Sequence, residues 1–237
     1  MNFKGKTAIV TGGTGALGSV VAGQFFDAGA NIAIPYNSEK SLPNIPKRLV
    51  DKKERILLLQ TDLTVEDQVN VFTDGVVKKF GTIDFLANTA GGYAGGSEIA
   101  DVTVAEWDGM MNLNLKSAFL ICSSVLRVMR KQKSGTIVNI SAMAALSPSA
   151  KKGPYAVSKR GVVTLTETIA EEVKGTGITA NAIAPSIILT DANKQSMPKS
   201  DFTKWVTPEE ISQCILYLCS HEARSISGNV IKMYGGV

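Results

Sequence analysis

Tyr155 and Lys159 stand four residues apart in the stretch KKGPYAVSKRGV. On a helix that spacing puts both side chains on one face. A phenol beside an ammonium is expected to titrate below its usual range, which suits proton exchange near neutral pH. Taken alone, such a pair is most often ordinary helix surface, so its surroundings must decide. A second stretch, TAIVTGGTGALGSVVAGQFF, sets a glycine-rich turn between a β-branched run and a helical pattern. Backbone in such a turn can approach a pyrophosphate closely, and the helix behind it offers unpaired N–H groups and the positive end of its dipole. A turn that merely needs glycine and binds nothing is the minority reading for this position in the chain.

The elements that must position these residues alternate from end to end. TAIV, NIAIPY, RILLLQ, IDFLAN, TIVNIS, ITANAIAP and NVIKMY read as strands. Helical patterns fit between them, around Val20–Ala28, Glu66–Phe80, Glu106–Lys131, Tyr155–Lys174 and Pro208–Ser220. Strands that are apolar throughout and separated by helices imply a parallel sheet covered on both faces. With right-handed crossovers the expected fold is α/β, a Rossmann-like doubly wound sheet of about seven strands. Residues 1–237 are expected to form a single dinucleotide-binding domain. Two segments lack periodicity, GGYAGGSEIADVT and SIILTDANKQSMPKSDFTKWVT, and both follow the carboxyl ends of strands, where ligands bind in open α/β sheets. The second is long for a structureless connection and suggests a lid or substrate loop.

Composition narrows the alternatives. Charged residues make up 19% and the formal net charge is +4, with no basic run interleaved with aromatics, so nucleic acid is not an expected partner. The longest uncharged run contains Asn181 and Pro185 and is too short for a bilayer, so no membrane partner is expected either. No apolar leader precedes the first strand, and the three cysteines, Cys122, Cys214 and Cys219, form no CxxC pair. A cytoplasmic protein with reduced thiols is the expectation. His221 is the only histidine, so no metal site is expected.

These stretches together resemble the short-chain dehydrogenase/reductase family over nearly the whole chain. Thr11, Gly12 and Gly18 match its TGxxxGxG motif, with Ala16 in place of the middle glycine. DFLANTAGG is similar to DxLVNNAG, keeping Asn88, Ala90 and Gly91. APSIILTD is similar to PGxIxT through Pro185, Ile188 and Thr190, and TDL places Asp62 and Leu63 at the adenine-contacting position. The resemblance implies that Thr14, Leu17 and Ile140 also line the dinucleotide. It implies that Tyr155 exchanges a proton with substrate, that Lys159 holds the ribose, and that Asn114 holds a water behind the lysine. It also implies a homodimer or homotetramer acting on a small-molecule substrate.

Two departures bear on cofactor and substrate. An acidic residue ending the second strand would hold the ribose hydroxyls of NAD and repel the 2′-phosphate of NADP. That position is Tyr36, followed by Asn37 and Ser38, so NADP(H) is favoured and NAD(H) is possible. Thirteen residues before Tyr155, where the family keeps a serine that orients the substrate oxygen, stands Ala142. Neighbouring Ser141 points to the opposite strand face, and a hydroxyl satisfied by nearby backbone is its expected state. Several segments resemble the dihydropteridine reductase branch, which also has alanine at that position and reduces an already electrophilic quinonoid ring. On that reading Tyr93 stacks on the ring and Trp205 reaches the pocket, although Trp205 could equally anchor its loop. Hydride transfer to such a ring is thus the first reading and reduction of a carbonyl or 3-oxoacyl substrate the alternative. A non-catalytic dinucleotide sensor ranks third, because it has little reason to keep Tyr155, Lys159 and Asn114 together.

Overall fold

A computed structural model describes all of residues 1–237. Its centre is one parallel sheet of seven strands: β1 (Thr7–Thr11), β2 (Asn31–Tyr36), β3 (Ile56–Gln60), β4 (Phe85–Asn88), β5 (Gly135–Ile140), β6 (Ile178–Pro185) and β7 (Val230–Met233). The order across the sheet is β3-β2-β1-β4-β5-β6-β7, so the chain winds outward from β1 in one direction and then from β4 in the other. The crevice for ligands in such a sheet lies where the winding reverses, beyond the carboxyl ends of β1 and β4.

Alternation along each strand feeds two cores. Ala8 and Val10 of β1 face one side with Ile32 and Ile34 of β2, while Ile9 and Ala33 face the other. The first side is covered by α1 (Ala16–Asp27), the short α2 (Lys47–Val50) and α9 (Pro208–Leu218). The second is covered by α3 (Glu66–Phe80), α5 (Ser117–Gln132) and α7 (Gly153–Glu172). Burying apolar area contributes roughly 25 cal/mol per Å², so two full cores outweigh the sparse aromatic content. No helix is long and apolar enough to cross a membrane.

Two elements differ from the sequence expectation. The single helix expected over Glu106–Lys131 is a rod in three parts: α4 (Val104–Met110), a π-helical stretch Met111–Lys116, and α5. A wide turn of this kind shifts the phase of the side chains without breaking the helical pattern, so periodicity does not reveal it. The long segment after β6 is also less irregular than expected. It contains α8 (Asp191–Ser196), capped by the Thr190 hydroxyl, and a 3₁₀ turn at Phe202–Lys204 capped by Asp201. Its base is closed where Ile188 bridges Val206, with the Leu189 N–H donating to the Val206 carbonyl at 2.8 Å. The remaining short helix, α6 (Met143–Leu146), links β5 to α7.

Candidate active site

The glycine-rich turn leaves β1 at Thr11 and enters α1 at Ala16. Gly12 takes φ +65°, and a Cβ there would stand 3.0 Å from Ala90 N and Cα. A Cβ on Gly18 would collide with the Gly12 carbonyl, so this glycine lets α1 pack against the turn. Gly13, not singled out from sequence, is needed because Ile34 lies beneath it. The first turn of α1 has no side-chain cap and no acidic residue, and Gly15 and Ala16 are exposed. Its free N–H groups and dipole therefore fit the diphosphate of a dinucleotide. Leu17 is buried in the core, so only its backbone can serve a ligand. The Asn44 side chain donates to the Thr14 carbonyl at 3.1 Å, a tie between the turn and the segment after β2 that sequence reading missed.

Tyr36 ends β2 half-buried, with Asn37 and Ser38 exposed beyond it. Ser38 caps a 3₁₀ turn by accepting from the Lys40 N–H. Asp62 follows β3, where one carboxylate oxygen accepts from the Thr64 N–H at 2.8 Å and hydroxyl at 2.7 Å. Those bonds hold its carboxyl below the usual range, so it stays charged. Leu63 beside it packs on the second core.

Several of the expected cofactor residues also make ties within the chain. Asn88 accepts from the Thr11 hydroxyl at 2.6 Å and donates to Asn139 at 2.9 Å, and Asn139 donates in turn to Thr166. The Ala90 N–H donates to the Thr11 hydroxyl, and the Thr89 hydroxyl donates to the Thr11 carbonyl at 2.6 Å. Thr89, which departs from the family asparagine, thus clamps β4 to β1. The buried chain Thr11–Asn88–Asn139–Thr166 fixes the strand ends under the site, with its polar groups mutually satisfied. Asn139 carried no sequence signal beyond its place in a strand.

At the chemical end, α7 brings Tyr155 and Lys159 to the carboxyl ends of β4 and β5. Lys159 is 5% exposed, and its Nζ donates to the Ile140 carbonyl at 2.9 Å. Burial pulls the ammonium down to about 8. Tyr155 moves opposite to the expectation: burial, with a smaller contribution from Tyr93, pushes its phenol up to about 12. Desolvation disfavours the charged phenolate. Gly91, at φ +152°, passes so close that a Cβ would lie 2.7 Å from Asn114 Oδ1 and 2.9 Å from Lys159 Nζ.

Asn114 sits in the π-helical stretch and is 1% exposed. Its Oδ1 accepts from the Gly92 N–H at 3.0 Å, and its Nδ2 donates to the Gly92 carbonyl and to Ser158, both at 3.1 Å. The side chain clamps the loop after β4 onto α7. Ser141 meets its expectation: the hydroxyl donates to the Lys159 carbonyl at 2.8 Å, facing α7. Ala142 continues in extended conformation and starts α6 with a buried methyl. Tyr93 packs edge-on against Tyr155, with ring centroids 5.0 Å apart.

After β6, Pro185 is buried, Ile188 holds the lid base, and the Thr190 hydroxyl is used as a helix cap. Trp205 is 5% exposed and packs against Phe202. Its placement in the substrate pocket is corrected to a loop anchor, because the indole's apolar area is better buried in the body than left at a rim.

A switch-point crevice, an uncapped helix behind a glycine turn, and a Tyr–Lys pair beside it define a nicotinamide-dinucleotide oxidoreductase. Residues 6–201 match the short chain dehydrogenase family. The chain belongs to that family, the short-chain dehydrogenases/reductases, and is an NAD(P)-dependent oxidoreductase. It is 30% identical to a 3-oxoacyl-[acyl-carrier-protein] reductase of Thermotoga maritima, covering 100% of this chain and 99% of the relative. It is 33% identical to the Chlamydia muridarum protein of the same name, covering 98% and 97%. Among solved structures it superposes on an NAD⁺-bound xylitol dehydrogenase with TM-score 0.91 and 25% identity over 100% of both chains. A short-chain type dehydrogenase/reductase from Mycobacterium ulcerans gives TM-score 0.93 at 25% identity, covering 100% of this chain and 90% of that one. The narrower resemblance to dihydropteridine reductases gains no support from these relatives, which favour the alternative reading.

Proposed function

We propose that the chain reduces the keto group of a 3-oxoacyl thioester or a closely similar small carbonyl, with NADPH as the favoured nucleotide. The observation that carries this reading is full-length similarity to 3-oxoacyl-[acyl-carrier-protein] reductases, joined to the Tyr155–Lys159 pair. A bound nicotinamide dinucleotide supplies the hydride. Backbone of Gly12, Thr14, Ala16, Leu17 and Gly18 would hold its diphosphate, and Asp62 and Leu63 would flank its adenine. Gly91, Ile140, Pro185, Ile188 and Thr190 would surround the remainder. Tyr36, Asn37 and Ser38 place no carboxylate where a 2′-phosphate would lie, which supports NADPH.

Tyr155 gives its Oη proton to the substrate oxygen. A phenol held near 12 keeps that proton throughout the neutral range, as an acid must. Lys159, anchored by one N–H on Ile140, has donors left for a ribose hydroxyl and for the phenolate that forms. Asn114 positions the Gly91–Gly92 backbone beside that ammonium. Three free cysteines, two of them buried, support a reducing compartment such as the cytoplasm. A groove of about 250 Å³ between α5 and α7, lined by Phe119, Leu126 and Leu165, supports self-association into a dimer or tetramer.

Ala142 favours a second reading, hydride addition to a quinonoid dihydropterin or similar conjugated ring, where little charge develops on a carbonyl oxygen. Turnover of an acetoacetyl thioester and of a quinonoid dihydropterin, each with NADPH and NADH, separates the two. The first reading expects the thioester to dominate with NADPH, and Ala142→Ser to improve it. Preference for the pterin, with Ala142→Ser silent, would move the assignment to the second.

A further inference from the structure

The carbonyl-reduction reading leaves one task without a residue. Charge developing on the substrate oxygen needs a second hydrogen-bond donor beside the proton donor, and Ala142 offers a methyl. Neighbouring serines do not fill the gap. Ser141 donates to the Lys159 carbonyl, and Ser158 donates to the Tyr155 carbonyl at 2.8 Å while accepting from Asn114.

Tyr93 is placed differently. Its ring packs edge-on against that of Tyr155 at 88°, which sets the two phenols side by side. It is 58% exposed, open to a substrate that approaches Tyr155 from solvent. The loop carrying it is pinned at both ends: Asn114 brackets Gly92, and the Gly96 N–H donates to the Lys151 carbonyl at 2.8 Å. Between those pins the sequence is Gly-Tyr-Ala-Gly-Gly, and room for the hydroxyl is specific. A Cβ on Gly95 would stand 2.6 Å from Tyr93 Oη. A glycine at 95 therefore leaves room for the phenol to fold back over the loop beside Tyr155.

We propose that Tyr93 is a second catalytic residue, its hydroxyl donating a hydrogen bond to the substrate oxygen in the role that Ala142 cannot fill. No bond of Tyr93 breaks; the transferred proton comes from Tyr155 Oη, and Tyr93 stabilises the oxygen as charge builds. This rests on the carbonyl-reduction reading. The same proximity acts on Tyr155 itself, since Tyr93 contributes to holding its phenol high.

Tyr93→Phe keeps the ring and removes only the hydroxyl, which makes it the deciding variant. Rates on an acetoacetyl thioester and nucleotide dissociation constants would be measured for wild type, Tyr93→Phe and Tyr93→Phe/Ala142→Ser. Loss of one such donor should lower kcat roughly 10²-fold, leave nucleotide affinity unchanged, and be largely restored by the added serine. The alkaline limb of the wild-type pH profile should move to lower pH in Tyr93→Phe. Unchanged turnover in Tyr93→Phe would show that the ring is only a cover and overturn the proposal while the carbonyl reading stands. A loss that Ala142→Ser fails to restore overturns it as well. A wild-type chain inactive on the thioester but active on the quinonoid pterin defeats the carbonyl reading, and this proposal with it.

Discussion

Replacing Gly91 by alanine should separate the positioning of the chemical groups from the stability of the fold. At φ +152° an L-residue is strained, at about 1–3 kcal/mol. The new methyl would also stand 2.7 Å from Asn114 Oδ1 and 2.9 Å from Lys159 Nζ, closer than real Cβ contacts allow. If Asn114 yields, the Gly92 N–H loses its acceptor, a further cost of about 1–3 kcal/mol. If Lys159 yields, its bond to the Ile140 carbonyl breaks and the ammonium moves. A displacement near 1 Å can cost about 10²-fold in rate. Gly96→Ala is the control, because Gly96 also has a left-handed φ, +127°, but nothing lies within 4 Å of the Cβ position. Urea unfolding and initial-rate assays on both variants give the answer. Both should lose stability to backbone strain, and only Gly91→Ala should lose turnover about 10²-fold. Equal turnover in the two would refute the claim that Lys159 and Asn114 must stand where they do.

Other perturbations follow from the same geometry. Burial lowers Lys159 to about 8 from 10.5, so between these values the unfolded chain binds more protons and stability rises with pH. The penalty is complete below pH 8, on the order of 3 kcal/mol at 1.36 kcal/mol per unit. Lys159→Met should therefore be more stable than wild type at pH 7, with a margin that shrinks from pH 8 to 10.5 in urea titrations; a flat margin counts against the buried cation. Tyr155 is raised from 10 to about 12, so its contribution to stability is intact below pH 10 and lost as pH climbs through 12. Tyr155→Phe should remove that alkaline loss and cut turnover roughly 10²–10⁴-fold, while fluorescence titration finds nucleotide affinity unchanged. Tyr36→Asp should lower the ratio of kcat/KM for NADPH to that for NADH, since a carboxylate there repels the 2′-phosphate; a ratio that holds would place the phosphate elsewhere.

The main lines of the fold could be read from apolar runs and their spacing. All seven strand segments appear where β-branched runs alternate with helical patterns, and α3 spans Glu66–Phe80 as its periodicity requires. These features are local: a run of Ile, Val and Leu buried on both faces has few ways to be satisfied except inside a parallel sheet. Less legible were features in which two distant segments meet. Thr89 stands where the family motif has asparagine, and it bonds the Thr11 carbonyl across 78 residues of sequence. Trp205 could equally have lined a pocket or anchored a loop, and packing against Phe202 with closure at Val206 decided for the anchor.

Sequence alone determined that Tyr155 and Lys159 share a helix face, that a glycine turn joins the first strand to the first helix, and that Ala142 lacks the serine hydroxyl. Each follows from residue type and short-range spacing. Tertiary structure decided the electrostatics and the company these residues keep. Desolvation depends on everything packed around a group, so a phenol expected to be lowered by its cation stands near 12 instead. The π-helical turn at Met111–Lys116 carries Asn114 inward to bracket Gly92, and Tyr93 comes to rest on Tyr155 across 62 positions of chain, a meeting no local pattern encodes.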